Sequence, residues 1–273
     1  MHVDPPRRFT LAAWLLAALL VAACSRSPSR EPFPDGDIVD LSHPYDEYTI
    51  FWPTAEAFTL HKVADGVTAG GYYYAANTFS TSEHGGTHLD APVHFGEGKY
   101  TADQIPLERL IGPAVVIDVT ASAAKDRDYR VTREDVVAFE GKHGRIAEGT
   151  IVLARTGWSR HWPEAKAYLG DDTPGDASKL SFPSFGEAAA RVLVDERRVG
   201  ALGIDTASND YGKSKDFVVH RIAAEKNVPG LENLTNLDRL PPRGATIIAL
   251  PIKIEGGSGG PVRAIAMVGR GRP

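Results

Sequence analysis

Six short apolar runs, each bounded by turn-forming or polar residues, set the rhythm of this chain. They are Ile38-Val-Asp-Leu41, Ala114-Val-Val-Ile-Asp-Val119, Thr150-Ile-Val-Leu-Ala154, Ala201-Leu-Gly-Ile204, Ala245-Thr-Ile-Ile-Ala-Leu250 and Val262-Arg-Ala-Ile-Ala-Met-Val268. Runs this short and continuous predict strands buried on both faces. Helical patterns lie between them. Thr132 is placed to cap a helix running through Phe139, and Phe217 to Lys226 predicts another. Ser184-Phe-Gly-Glu187 has the spacing of a capping box, followed by apolar residues to about Arg198. Strands mixed with fewer helices predict an α/β domain, and the pattern leaves the strand order open.

The first stretch has a different character. Arg7 and Arg8 precede an apolar segment from Leu11 to Ala23 that ends in small residues. Residues 1–23 therefore read as a secretory signal peptide, too short to span a bilayer. Val21-Ala22-Ala23-Cys24 resembles a bacterial lipobox, and Cys24 is the only cysteine. Lipidation of Cys24 is the favoured reading; ordinary cleavage leaving a free thiol is the alternative. Residues 24–36, rich in Ser, Pro and Arg, predict a tether, and residues 37–273 the folded domain. The expected location is the cell envelope, on the periplasmic face and lipid-anchored.

With Cys24 used, the domain has no thiol for a disulfide, a nucleophile or a ligand, so it must be held by its core. About 250 residues suffice, since a domain of that size buries roughly three-quarters of its unfolded surface. Beyond residue 23 there remain 28 basic and 34 acidic residues, a net charge of −6. That mild acidity argues against nucleic acid as a partner.

The chemistry concentrates in His84-Gly-Gly-Thr-His88-Leu-Asp90-Ala-Pro-Val-His94. Gly85-Gly86 and Pro92 disfavour a continuous helix. In an extended segment His84, His88 and Asp90 share a face, with His94 beyond them. Two imidazoles and a carboxylate suit Zn²⁺ or Mn²⁺. A cation held this way supplies nucleophilic water near neutral pH, which points to hydrolysis. The further ligands are sought in Asp216-Phe-Val-Val-His220 and in Pro229-Gly-Leu-Glu232-Asn-Leu234, where Glu232 sits among apolar residues. Coordination would remove the cost of an unpaired carboxylate there; an exposed loop is the other reading.

These residues resemble the metal-dependent cyclase family, which includes bacterial kynurenine formamidases, isatin hydrolases and a trans-dienelactone hydrolase. The family pattern H-x-G-T-H-x-D-x-P-x-H is matched at every fixed position of residues 84–94. His220 followed by Glu232-Asn233-Leu234, Asp40-Leu-Ser-His, Trp52-Pro53, Gly203-Ile-Asp205-Thr and Gly259-Gly-Pro-Val-Arg-Ala264 also fit. The resemblance implies an α/β fold with a central barrel-like mixed sheet flanked by helices, assembled as homodimers or homotetramers. It implies that His84, His88, Asp90, His220 and Glu232 bind one or two ions per subunit, with Asp90 able to bridge. It makes His94 the proton-transfer residue and sets Trp52 against a substrate ring. Thr87 replaces an Ala of the formamidases, and Thr54-Ala55 follows Trp52-Pro53 in place of Gly-Asp. Both differences, and the anchor, point away from tryptophan breakdown.

The expectation is a metal-dependent hydrolase of an amide or ester bond in a small aryl or cyclic substrate. The alternative is an inactive metal- or ligand-binding envelope lipoprotein.

Overall fold

The computed structural model describes residues 36–269. The expected signal peptide, Cys24 and the tether up to residue 35 therefore lie outside the described residues. Twelve strands occur among them: β1 (Asp37–Asp40), β2 (Thr59–Val67), β3 (Tyr73–Ser80), β4 (His88–Asp90), β5 (Ile111–Asp118), β6 (Arg130–Val131), β7 (Ile151–Arg155), β8 (Ser184–Phe185), β9 (Ala201–Ile204), β10 (Gly230–Glu232), β11 (Arg243–Pro251) and β12 (Gly259–Val268).

Seven of them close into a mixed barrel in the order β12-β11-β5-β7-β9-β10-β4, with β4 returning to β12. β5, β7, β9 and β10 are parallel neighbours, and the remaining pairs are antiparallel. The long strand β12 makes closure possible. Its first residues, Gly259 to Pro261, pair with β4, while Ile265 to Val268 pair with β1 along the same edge.

The barrel interior is filled by alternate residues of every wall, including Leu89, Val116, Leu153, Leu231, Ile247 and Ala264. The other face of β5, β7 and β9 presents Val115, Ile117, Val152, Ala154, Leu202 and Ile204 to a second core. That core is covered by α1 (Arg133–His143), α2 (Glu187–Arg191, continued as a π-helical turn over Val192–Glu196) and α3 (Val218–Glu225). Burial on both faces is why these strands lack polar alternation. β11 and β12 depart from that expectation. Ile247 and Ala249 are buried, whereas Leu250 is 45 % exposed on the opposite face.

Thr132 caps α1 through a complete capping box with Asp135, and the helix runs four residues past Phe139. The capping box expected at Ser184 does not form. Ser184 lies in β8, paired with β6, and its hydroxyl donates to the Phe185 carbonyl; Gly186 takes the cap position instead. The β2–β3 hairpin has no counterpart in the apolar runs. Both of its faces are largely open to solvent, so alternation never develops.

One buried ion pair ties α1 to the end of the π turn. Arg197 donates from Nε and Nη2 to the two Glu140 carboxylate oxygens at 2.7 and 2.9 Å, and the Ile146 N–H adds a third bond at 2.9 Å. The Arg197 bonds hold the Glu140 carboxyl well below its ordinary value of 4.5, at about 2. A depressed carboxyl contributes stability that is complete above the unfolded value and fades as the pH falls through the folded one. Urea denaturation should therefore show Glu140→Gln to be about 1–2 kcal/mol less stable at pH 7. The difference should shrink steadily between roughly pH 4.5 and pH 2.

Candidate metal centre

Register across three strands builds the site. In β4, Leu89 points into the barrel, which turns His88 and Asp90 to the outside. β10 pairs so that Glu232 lies opposite His88, and Gly230 opposite Asp90. On the other side β12 sets Gly259 opposite Asp90. Two glycines thus flank the Asp90 carboxylate, and a Cβ on Gly259 would lie 2.5 Å from the Leu89 carbonyl oxygen and 2.7 Å from His84 Cε1.

The turn before β4 is locked by its own polar groups. Gly86 has φ +56°, and a Cβ there would meet the Tyr45 ring at 2.6 Å. The Tyr45 hydroxyl donates to the Gly85 and Thr87 carbonyls. Thr87 Oγ1 accepts the His43 N–H at 2.9 Å and donates to the Asn233 carbonyl at 2.7 Å. Asn233 returns its Nδ2–H to the Gly86 carbonyl at 2.7 Å. Thr87 therefore joins the two halves of the site.

His84, His88, Asp90, His220 and Glu232 converge as the sequence predicts. Asp90 Oδ1 lies 2.6 Å from His84 Nδ1 and 3.2 Å from His88 Nε2; Asp90 Oδ2 lies 3.0 Å from His220 Nε2. Glu232 Oε1 lies 3.1 Å from His220 Nε2, and Oε2 is 3.5 Å from His88 Nε2. Two donor sets result, His84–His88–Asp90 and Asp90–His220–Glu232, sharing Asp90.

The donor chemistry fits a divalent cation. Bonds of about 2.0–2.2 Å to one ion place neighbouring donor atoms roughly 3 Å apart, as here. Each imidazole also spends its outer nitrogen elsewhere: His84 Nε2 on Ser258 Oγ at 2.8 Å, His88 Nδ1 on the Gly86 carbonyl at 3.0 Å, and His220 Nδ1 on Asp210 at 2.7 Å. Such contacts fix the ring and leave the inner nitrogen facing the carboxylates. The charge balance agrees. Burial lowers the His88 pKa, but Asp90, Glu232 and the Gly86 carbonyl outweigh it and raise it to about 9. His220 is likewise raised well above its ordinary value despite burial, through Asp210, Asp90 and Glu232. Asp90 is held far below the usual carboxylate range by its imidazole neighbours, against the effect of burial. The cluster calls for positive charge at its centre.

Several contributors have no signal in the sequence. Asp210 accepts the Val219 and His220 N–H groups at 3.1 and 3.0 Å, so it caps α3 while orienting His220. Asn209 donates its N–H and Nδ2–H to Glu232 Oε1 at 2.7 and 3.1 Å. Asp216, a candidate from its spacing, is exposed and receives a hydrogen bond from Ser214; it takes no part. Glu232 lies in a buried strand, which settles against an exposed loop. Asp205, whose Gly-Ile-Asp-Thr setting fitted the family pattern, serves another segment: its carboxylate accepts from Thr156, Gly157 and Trp158 backbone N–H groups.

The donors open into a cavity of about 400 Å³. Ile50, Phe51, Trp52, Phe95, Ala207 and Phe217 form its apolar walls. Trp52 is half-buried and braced edge-on by Phe182 at 6.3 Å. His94 stacks on His84 with ring centroids 3.8 Å apart, and among the described residues its ring makes no hydrogen bond. Burial away from water, helped by the neighbouring imidazoles, keeps its pKa below the ordinary value against the pull of Asp90, which favours the neutral ring at pH 7. A neutral imidazole beside a cation site, facing an aromatic slot, can accept and return a proton.

A model of the cyclase family matches residues 39–211. The isatin hydrolase of Roseibium aggregatum is 36 % identical over 217 residues, covering 77 % of this chain and 80 % of that protein. The kynurenine formamidase of Salinibacter ruber is 29 % identical over 234 residues, covering 84 % and 96 %. Among solved structures, isatin hydrolase A from Ralstonia solanacearum superposes with a TM-score of 0.78 at 33 % identity, over 97 % of this chain and 100 % of that one. An isatin hydrolase bound to the product analogue thioisatinate has a TM-score of 0.78 at 28 % identity, over 96 % and 100 %.

The crowding at Gly259 has a measurable consequence. Gly259→Ala should cost about 1–3 kcal/mol in urea denaturation and weaken divalent-cation binding by displacing His84. Gly260→Ala is the control, because a Cβ there meets nothing closer than 3.5 Å, and both quantities should stay near wild type.

Proposed function

This chain belongs to the cyclase family, and from that premise we propose that its aromatic cavity takes a cyclic aryl amide of the isatin type and opens the ring by hydrolysis. The chain is a metal-dependent hydrolase of a small cyclic or aryl amide. One observation carries the reading: two donor sets sharing Asp90 lie in the wall of an apolar slot, beside an imidazole whose ring makes no hydrogen bond among the described residues. Two things favour the cyclic amide over the open-chain formamide. The isatin hydrolase of Roseibium aggregatum matches at 36 % identity against 29 % for the formamidase of Salinibacter ruber, and Thr87 and Thr54-Ala55 depart from the formamidase pattern.

In this reading His84, His88 and Asp90 would hold one ion, and Asp90, His220 and Glu232 would hold a second. Zn²⁺ and Mn²⁺ both suit nitrogen and carboxylate donors. A bound cation supplies a Lewis acid for the carbonyl oxygen and brings the pKa of water toward 7. The chain's own groups do the rest. Trp52 and Phe51 orient the ring and exclude bulk water. His94 takes a proton from the attacking water and passes it to the ring nitrogen as the carbon–nitrogen bond breaks, leaving an aryl amine and a carboxylic acid whose remaining proton is released to solvent. Asn209 and Asp210 keep Glu232 and His220 aimed throughout.

The partner is a second copy of this chain, seated on the β2–β3 hairpin. Leu60, Val63, Val67, Tyr72, Tyr73, Tyr74 and Phe79 stand 52 to 74 % exposed on it, and Lys62 and Asp65 neutralise each other. At roughly 150–250 Å² for an aromatic side chain and less for the aliphatic ones, this is on the order of 700 Å², close to the ~800 Å² per partner of a stable interface. A lone two-stranded hairpin is marginal in water, so cover is expected.

His94→Ala should retain bound metal but lose at least about 100-fold in kcat on isatin, whereas His88→Ala should lose both metal and turnover. Metal analysis with an isatin hydrolysis assay checks this; full activity in His94→Ala would remove that residue from the mechanism, and bound metal without hydrolysis of isatin, N-formylkynurenine or a dienelactone would favour the inactive binding protein. Separately, light scattering should give a dimer or tetramer for wild type and a monomer for Val63→Asp with Tyr73→Asp; a monomeric wild type contradicts the second-copy assignment.

A further inference from the structure

Three imidazoles face the carboxylates, and they do not present the same nitrogen. His88 and His220 each give Nδ1–H to an outer acceptor, the Gly86 carbonyl and Asp210, and turn Nε2 inward. His84 is reversed. Its Nε2 lies 2.8 Å from Ser258 Oγ, and its Nδ1 lies 2.6 Å from Asp90 Oδ1.

The direction of the Ser258 contact follows from proton counting. A serine hydroxyl carries one proton. The Glu83 carboxylate accepts it, and Glu83 Oε2 also takes the Ser258 backbone N–H at 3.1 Å. With its proton given away, Ser258 Oγ can only accept from His84. Nε2 therefore carries the hydrogen, and Nδ1 offers a lone pair to the centre. That lone pair and the Asp90 oxygen are then two acceptors 2.6 Å apart, a repulsion that a metal cation held between them relieves. Ser258 is itself fixed, since its carbonyl accepts the Ala91 N–H at 2.8 Å, one residue beyond Asp90.

We propose that Ser258 and Glu83 are positioning residues that set His84 as an Nδ1 ligand, so that one of the two cation sites depends on them and the other does not. Neither touches substrate; both act through His84. The proposal rests on the two-set reading of the centre, and its test separates the two.

Zn²⁺ affinity is measured by competition with a chelator in two backgrounds. His220→Ala leaves the His84–His88–Asp90 set, and His84→Ala leaves the Asp90–His220–Glu232 set. Adding Ser258→Ala should weaken Zn²⁺ by about 10–100-fold in the first background and by less than about threefold in the second. Glu83→Ala should act in the same direction in the first background, because it frees the Ser258 proton to bond Nε2 and favours the wrong tautomer. Nitrogen-15 NMR of the histidines should show His84 protonated at Nε2 in zinc-loaded protein with Ser258 intact. Equal losses in both backgrounds, or no loss in either, overturn the proposal. Wild-type protein that binds no Zn²⁺ overturns the two-set reading and this proposal with it.

Discussion

Two buried carboxylates and three imidazoles occupy one small volume at the barrel wall, and their charges balance only when a cation or added protons lie among them. Asp90 and Glu232 are 5 and 4 % exposed, and burial of such groups is costly unless charge is matched. The protein spends Ser258, the Gly86 carbonyl, Asp210 and Asn209 on orienting the set, so that five residues form two donor sets that share Asp90. A divalent cation resolves the arrangement; protons on His88 and His220 are the substitute in its absence.

Barrel closure is what makes this geometry possible. β4 is three residues long, yet it pairs with β10 on one edge and β12 on the other. Its middle residue, Leu89, anchors it in the interior core. The same side-chain alternation that buries Leu89 turns both neighbours outward as ligands. Stability of the barrel and aim of the ligands are therefore one constraint, and any change that shifts the register of β4 would cost both. The flanking Gly230 and Gly259 show how little room remains, because a methyl at Gly230 would meet the Asn209 amide at 2.8 Å.

Much of this was legible in the sequence, for identifiable reasons. The segment from His84 to His94 is local, so spacing alone placed its ligands on one face, and strands buried on both sides betray themselves as unbroken apolar runs. His220 and Glu232 became visible through the recurring pattern around them and through a carboxylate stranded among apolar residues. Asp210, Asn209, Glu83 and Ser258 stayed hidden, because their partners are set by strand register and helix capping rather than by spacing. Asp216 entered as a candidate only because it stands four residues before His220 in the chain. The β2–β3 hairpin escaped because a ribbon open on both faces leaves no periodic imprint. Ser184 had the composition of a cap but is claimed by pairing with β6, a tertiary preference that overrides the local one.

The account stands or falls on the cation. The most direct measurement is an anomalous difference map, recorded at the metal's absorption edge from crystals grown with Zn²⁺ or Mn²⁺. It should place density against Asp90 Oδ1, His84 Nδ1 and His88 Nε2, and further density between Asp90 Oδ2, His220 Nε2 and Glu232. A map with no anomalous signal there, and these side chains bonded only to one another or to water, would contradict it.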